Sequence, residues 1–163
     1  MTAGDGGAGP PPGLSGVGLR IGVVRARWNG HIVDRLAQGV GRGLAGLGVD
    51  PADVIDETVP GSFELPMGAH ILASSGRVDA VICLGSVIRG ETSHYELVAG
   101  QAAAGIQQVQ LGTGVPVAFG ILTTEDEAQA LDRSEGPGGH NVGEDAAVVA
   151  VEMARLAERH RRV

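Results

Sequence analysis

Lysine is missing from this chain of 163 residues, whose twelve basic residues are all arginine. Without lysine, no side chain can form a Schiff base with a carbonyl substrate, which excludes pyridoxal enzymes and lysine-dependent aldolases. A Walker-type phosphate-binding loop, which requires a lysine, is excluded as well.

Cysteine and aromatic residues are scarce. Cys83 is the single cysteine, which excludes an intrachain disulfide and a cysteine-rich metal cluster. The aromatic side chains are Trp28, Phe63, Tyr95 and Phe119. Because there are so few of them, the place of each one in the fold becomes informative.

Long apolar runs and an excess of positive charge are also absent. No segment contains 18 uninterrupted apolar residues, and the N-terminus lacks the charged and then apolar pattern of a signal peptide. The formal net charge of −7 argues against nucleic acid as a partner. We therefore expect a soluble cytoplasmic protein that binds neither nucleic acid nor membranes.

The length and the distribution of glycine and proline predict one domain with a short extension. Residues 1–18 are rich in glycine and contain three consecutive prolines, Pro10 to Pro12, a composition that cannot build a core. We predict a disordered or arm-like segment over residues 1–18, of which residues 14–18 could still pair with a sheet edge. Residues 19–163 are predicted to form a single domain.

Apolar runs that alternate with helical spacings predict an α/β fold. A helical pattern follows each of four predicted strands, at residues 19–26, 54–59, 80–88 and 115–122. A second helix closes the chain, and Thr123 and Thr124 are expected to cap the helix before it. The order β-α-β-α-β-α-β-α-α predicts a three-layer sandwich, with a four-stranded parallel sheet of the flavodoxin-like type and helices on both faces.

The carboxyl ends of parallel strands meet at one edge of a sheet, where α/β proteins bind their ligands. The segments at these ends are Trp28-Asn29, Gly61 to Glu64, Ser86 to His94 and Phe119 to Thr124. All four aromatic residues lie in or beside these segments. Singly, each could seal the end of the core, but together they predict a stacking pocket for a flat heterocycle.

His94 is the preferred catalytic candidate among the five histidines, because histidine exchanges a proton near neutral pH and polar residues precede it. Backbone N–H groups of Gly90, Glu91 and Thr92, at the start of a helix, could bind a phosphate. The alternative is ordinary capping of that helix by Thr92 or Ser93. No histidines have the paired spacing of a metal site, so no metal is expected.

Five short segments occur in a fixed order, and together they carry a family resemblance. The segments are Arg27 to Asn29, Val59 to Pro66, Leu84 to Glu96, Phe119 to Thr124 and Glu127 to Arg133. Each is weak alone, but the ordered set, within residues 19–158, resembles the lumazine synthase family.

The resemblance implies a transferase that acts at the penultimate step of riboflavin biosynthesis. This family condenses 5-amino-6-(D-ribitylamino)uracil with 3,4-dihydroxy-2-butanone 4-phosphate. The products are 6,7-dimethyl-8-ribityllumazine, phosphate and water, and no cofactor or metal takes part. The imine forms between the two substrates, so the missing lysines are no obstacle.

The resemblance also implies the roles of individual residues. His94 would transfer protons, Glu91 and Thr92 would donate backbone N–H groups to the phosphate, and Arg133 would pair with it. The residues that would bind the ribitylaminouracil are Trp28, Ser62, Phe63, Glu64, Ser86, Val87, Ile88 and Phe119. Phe119 and Arg133 would come from the adjacent subunit.

Members of this family assemble as homopentamers, and some form icosahedral shells of sixty subunits. The resemblance thus implies a homo-oligomer with its active site at a subunit interface, and riboflavin synthase is a candidate partner. Subunit interfaces would also explain why the predicted helices are rich in glycine, with Gly39, Gly41, Gly43 and Gly46 in one of them and Gly105 in another.

Departures from the family pattern leave an alternative open. Many members carry a lysine near the phosphate, within an Asn-Lys-Gly segment whose counterpart here is Asn141-Val142-Gly143. His140 could partly substitute for it, and the loop from Ser134 to Asn141, which is tied to shell assembly, also differs. The alternative is a catalytically weak homologue that binds flavin or lumazine or forms a shell. An unrelated flavodoxin-like binding module is a third interpretation.

Overall fold

The computed structural model describes residues 9–161. The strands are β1 (Ile21–Ala26), β2 (Val54–Val59), β3 (Ala80–Ile88) and β4 (Val117–Thr124). The helices are α1 (Gly30–Gly46), α2 (Leu65–Ala73), α3 (His94–Thr113), α4 (Glu127–Asp132) and α5 (Val142–His160). None of these described helices combines the length and the apolar character needed to cross a membrane.

The four strands form one parallel sheet in the order β2-β1-β3-β4. The central strand β3 is buried along its length except for the half-buried Ile88, which explains its unbroken apolar sequence. The chain adds β2 on one side of β1 and then crosses back to add β3 on the other side. The strand order therefore reverses between β1 and β3, the position where open α/β sheets bind ligands.

Helices cover both faces of the sheet, so the predicted three-layer sandwich is confirmed. Ile82 and Leu84 of β3 point to the face covered by α1, α4 and α5. Val81 and Cys83 point to the face covered by α2 and α3. Burial raises the pKa of the Cys83 thiol to about 12, which agrees with its prediction as an unreactive part of the core.

Close packing within the chain accounts for several helical glycines. A Cβ on Gly39 would lie 2.0 Å from Oδ1 of Asn141, and one on Gly43 would lie 2.8 Å from an alanine of α5. A Cβ on Gly105 of α3 would lie 2.7 Å from Cγ of Pro66 in α2. These glycines let helices of one chain approach each other, whereas a role of helical glycines in subunit interfaces stays a prediction.

The expected cap of α4 is corrected by the structure. Thr123 and Thr124 belong to β4, and Thr124 pairs in register with Ile88 of β3. The cap is Asp126, whose side chain accepts a hydrogen bond of 2.8 Å from the N–H of Gln129. The β-branched threonines extend the strand because β3 offers them a partner, which their capping propensity alone does not reveal.

The predicted N-terminal segment is described only in part, because residues 1–8 lie outside the described residues. Within the described part, residues 14–18 pair with no strand and lie against α5. The guanidinium of Arg155 donates hydrogen bonds to the carbonyl oxygens of Ser15, at 2.8 Å, and Val17, at 2.7 Å. Whether the preceding residues form an arm on another subunit stays a prediction.

Candidate active site

A cavity of about 500 Å³ opens at the carboxyl edge of the sheet. Its walls come from the segments after β1 and β2, the end of β3 and the first turns of α3. The lining residues are Trp28, Asn29, Ser62, Phe63, Glu64, Ser86, Val87, Ile88, His94, Leu97 and Val98. The cavity thus gathers residues that are up to 70 positions apart (98 − 28) at the point where the strand order reverses.

The backbone of Trp28 is held by hydrogen bonds between the segments that follow β1 and β2. The N–H of Trp28 donates to the carbonyl oxygen of Pro60 at 3.0 Å, and that of Arg27 donates to Val59 at 2.9 Å. The ring lies directly against the backbone of Gly61, where there is no room for a Cβ. Trp28 remains 66% exposed, so one ring face is available to a ligand.

Asn29 also lines the cavity, and the sequence assigned it no role. It is the one described non-glycine residue with a left-handed backbone, at φ 55° and ψ 39°. Its side-chain amide donates a hydrogen bond of 2.7 Å to the carbonyl oxygen of Ser86, which ties the end of β1 to the end of β3. An asparagine directly before a helix was the available signal, since asparagine tolerates this conformation better than most residues.

Two polar side chains of the cavity differ in whether they form hydrogen bonds within the protein. The Glu64 carboxylate accepts a hydrogen bond of 3.0 Å from the N–H of Gly61 through Oε2, so it fixes the turn that carries Ser62 and Phe63. The Ser86 hydroxyl is buried and has no hydrogen-bond partner among the described residues. Since buried hydroxyls are nearly always paired, this hydroxyl is available to a ligand.

His94 is the first residue of α3, and its exposed side chain borders the cavity. Its backbone N–H donates to Oγ1 of Thr92 at 3.3 Å, so Thr92 makes the capping contact and Ser93 makes none. One helical turn further on, Leu97 and Val98 complete the apolar wall. Both residues follow His94 at helical spacing, three and four positions later, so they lie on the same face of α3. This spacing was a signal that sequence reasoning missed.

Similarity to known proteins extends over most of the chain. The family model of 6,7-dimethyl-8-ribityllumazine synthase matches residues 18–158. The chain belongs to this lumazine synthase family. It is 47% identical to the 6,7-dimethyl-8-ribityllumazine synthase of Thermus thermophilus, over 90% of this chain and 93% of the relative. It is 49% identical to that of Paraburkholderia phytofirmans, over 90% of this chain and 84% of the relative.

Four residues that the lumazine synthase resemblance assigns to the site do not line the cavity of the described chain. Glu91 and Thr92 are exposed in the turn between β3 and α3. Phe119 is the third residue of β4, opposite Cys83 of β3, and not at the carboxyl end of its strand as the sequence predicted; it is 43% exposed. Arg133 follows α4, and its guanidinium donates a hydrogen bond of 3.0 Å to the carbonyl oxygen of Gln129. Phe119 and Arg133 therefore complete a site only if another subunit supplies them.

The position of the family lysine is occupied by Val142, next to Arg133. The N–H of Val142 donates to the carbonyl oxygen of Arg133 at 2.9 Å, and its half-buried side chain packs against the core. Nearby, His140 lies 3.6 Å from a carboxylate oxygen of Asp145. Val142 thus brings no charge to the position where the resemblance implies a lysine.

Arg89 is a further residue to which sequence reasoning gave no role. It is the first residue after β3, and its guanidinium pairs with Glu96 of α3 and with Glu125 after β4. Hydrogen bonds to its two carboxylate partners raise the pKa of Arg89, and the contribution of Glu96 is larger than that of Glu125. The pKa of Glu96 is lowered mainly by a backbone hydrogen bond, with a smaller contribution from the hydrogen bond with Arg89. The described residues contain no cluster of side chains suited to a metal ion.

Proposed function

We propose that this chain condenses 5-amino-6-(D-ribitylamino)uracil with 3,4-dihydroxy-2-butanone 4-phosphate to 6,7-dimethyl-8-ribityllumazine. The observation that carries the proposal is the cavity, in which Trp28, Phe63, Ser86 and His94 lie together. Relatives at 47% and 49% identity carry the name of this synthase. They favour the enzyme, a transferase of riboflavin biosynthesis, over a catalytically weak homologue.

The ribitylaminouracil occupies the cavity with its ring against the indole of Trp28. The volume of about 500 Å³ lies within the range of about 300–1,000 Å³ typical of small-molecule sites. The buried Ser86 hydroxyl then gains the hydrogen-bond partner that it lacks in the described chain. Ser62, Phe63 and Glu64 flank the ring and the ribityl chain, while Val87 and Ile88 border its polar edge.

The butanone phosphate binds where the turn before α3 presents backbone N–H groups. Glu91 and Thr92 lie in this turn, and the N-terminal end of a long helix favours an anion. Arg133 of an adjacent subunit adds the positive charge, and Phe119 of that subunit closes the pocket. The functional unit is therefore a homo-oligomer, with the pentamer as its basic form and a shell as a larger assembly.

Catalysis consists of orienting two substrates and moving protons between them. The 5-amino group of the uracil attacks the substrate ketone and loses one water to form an imine, and elimination of phosphate follows. Attack of the ribitylamino nitrogen on the remaining carbonyl then closes the ring with loss of a second water. His94 borders the cavity and exchanges the proton that these steps require. Orientation of two reactants contributes up to about 7–11 kcal/mol, so much of the rate enhancement comes from the shape of the site.

Turnover is the direct test. The purified protein is mixed with both substrates, and lumazine fluorescence is followed against the uncatalysed condensation. A rate above that background is expected, and equality with the background contradicts the enzyme assignment. Binding of a ribityl-pyrimidine analogue in that second case would favour the weak homologue.

The oligomeric state, the protein partner and the location of the protein need separate measurements. Native mass spectrometry should give a multiple of five subunits, and a monomer would contradict the shared site. Riboflavin synthase, which uses the lumazine product, is the proposed protein partner, and the cytoplasm is the proposed location. Co-purification with riboflavin synthase from the same cells tests the partner.

A further inference from the structure

The turn from Gly90 to Ser93 has few internal contacts of its own. Its four backbone N–H groups donate to no acceptor among the described residues. It is anchored at its start, where the N–H of Arg89 donates to the carbonyl oxygen of Thr124 at 2.8 Å, and at its end, where the carbonyl oxygen of Ser93 accepts a hydrogen bond of 3.3 Å from the N–H of Leu97. Something outside the turn must therefore fix its position.

The side chain of Arg89 provides that external contact, because it joins three elements. Its Nε donates to both carboxylate oxygens of Glu125, at 3.1 and 2.9 Å, in the loop after β4. Its Nη1 donates to Glu96 in the first turn of α3. Its guanidinium carbon also lies 4.2 Å from the centre of the Tyr95 ring. Arg89 thus links the end of β3 to the β4 loop and to the start of α3.

We propose that Arg89 is a positioning residue, which holds the turn before α3 in the geometry that binds the substrate phosphate. This inference rests on the proposed function of that turn. Arg89 is not itself the phosphate ligand, because its charge is already shared between Glu96 and Glu125. The three side chains together carry a net charge of −1, so their effect on phosphate binding is geometric.

Because the three side chains together are negatively charged, a positioning role of Arg89 and a purely electrostatic effect predict opposite changes in phosphate binding. Replacing Glu125 by glutamine keeps the size of the side chain but removes one negative charge near the phosphate. If charge alone mattered, Glu125→Gln would tighten phosphate binding. If Arg89 positions the turn, the same variant replaces a charge-assisted contact, in which Nε donates to both carboxylate oxygens, by a weaker hydrogen bond to a neutral amide oxygen, and phosphate binding weakens.

The experiment measures KM for both substrates and the inhibition constant of inorganic phosphate. Glu125→Gln should raise KM for the butanone phosphate and the inhibition constant about two- to fivefold, the range of one exposed ion pair. Arg89→Met, which loses both ion pairs and the contact with Tyr95, should raise them about tenfold. In both variants, KM for the ribitylaminouracil should stay unchanged.

Arg20→Met is the matched control. Arg20 forms a comparable exposed bridge to Asp79, at 3.2 Å, next to the amino ends of β1 and β3. Loss of that bridge should leave both constants at the wild-type values. An equal change in the control would show that a general loss of stability, and not the turn, is being measured.

Two results would overturn the positioning role. One is tighter or unchanged phosphate binding in Glu125→Gln, and the other is an equal rise of KM for both substrates in Arg89→Met. An inactive wild-type protein would instead contradict the proposed function itself, so the two failures are distinguishable. If Arg89→Met does not fold, Glu125→Gln still decides, because it retains the arginine and its bond to Glu96.

Discussion

Replacement of Gly61 by alanine should weaken binding of the ribitylaminouracil without unfolding the protein. A Cβ on Gly61 would lie 2.4 Å from Cε3 and 2.7 Å from Cζ3 of Trp28. The backbone φ of Gly61 is −139°, which alanine adopts without strain. Because the indole is 66% exposed, the ring can move while the backbone stays in place.

The size of the effect follows from the required displacement. Ordinary van der Waals contact begins near 3.4 Å, so the ring must move by about 1 Å (3.4 − 2.4). A gap of about 0.5–1 Å forfeits about a quarter to a half of a dispersion contact, and stacking of a base on an aromatic ring contributes about 1–3 kcal/mol. The expected loss is about 0.3–1.5 kcal/mol, which corresponds to a dissociation constant about two- to tenfold weaker.

Binding at Trp28 can be measured by fluorescence, because it is the single tryptophan of the chain. Quenching of tryptophan fluorescence by a ribityl-pyrimidine analogue reports binding at this ring. Gly30→Ala is the matched control, since a Cβ on Gly30 meets nothing within 4 Å. Equal dissociation constants in wild type and Gly61→Ala would refute the contact between ring and ligand. A large fall in Tm would show instead that the backbone had moved.

Three other predictions concern catalysis, packing and the core thiol. His94→Ala should slow lumazine formation by up to about 100-fold with little change in analogue binding, and an unchanged rate would remove His94 from the mechanism. Gly39→Ala should lower Tm, because its Cβ would lie 2.0 Å from the α5 cap Asn141, whereas Gly41→Ala, with nothing within 4 Å, should raise it by removing a helical glycine. Burial raises the pKa of Cys83 to about 12, so a thiol reagent at pH 8 should modify only unfolded protein. Because an unfolded thiol ionises near pH 9.0, stability should also fall as pH rises above that value, and Cys83→Ser should flatten this fall.

Much of the fold followed from local patterns. The predicted strands overlap all four observed strands, and β2 has the predicted bounds of Val54–Val59. Fully buried strands such as β3 are recognised easily, because both faces must be apolar. The end of β4 was predicted too early, since the partner strand, and not the residue type of Thr123 and Thr124, decided where pairing stops.

The candidate site could be predicted in large part because it lies at strand ends. Parallel strands bring those ends to one edge, so residues in the turns after them become neighbours whatever the order of the strands. Asn29 and Arg89 escaped prediction because their roles depend on partners 57 and 36 positions away in the sequence. No local spacing announces such contacts.

By itself, the sequence determined the alternation of strands and helices, the segments at the strand ends, and the absence of lysine from any phosphate site. These properties depend on residue type and short-range periodicity. Only the tertiary structure decided the strand order β2-β1-β3-β4, which helices share a face, and which strand-end segments line one cavity. The physical reason is that crossovers, close helix contacts at Gly39 and Gly43, and the ion pairs of Arg89 join residues far apart in the chain. These contacts contribute free energy to folding only once the whole sheet has formed, so no short segment of the sequence reveals them.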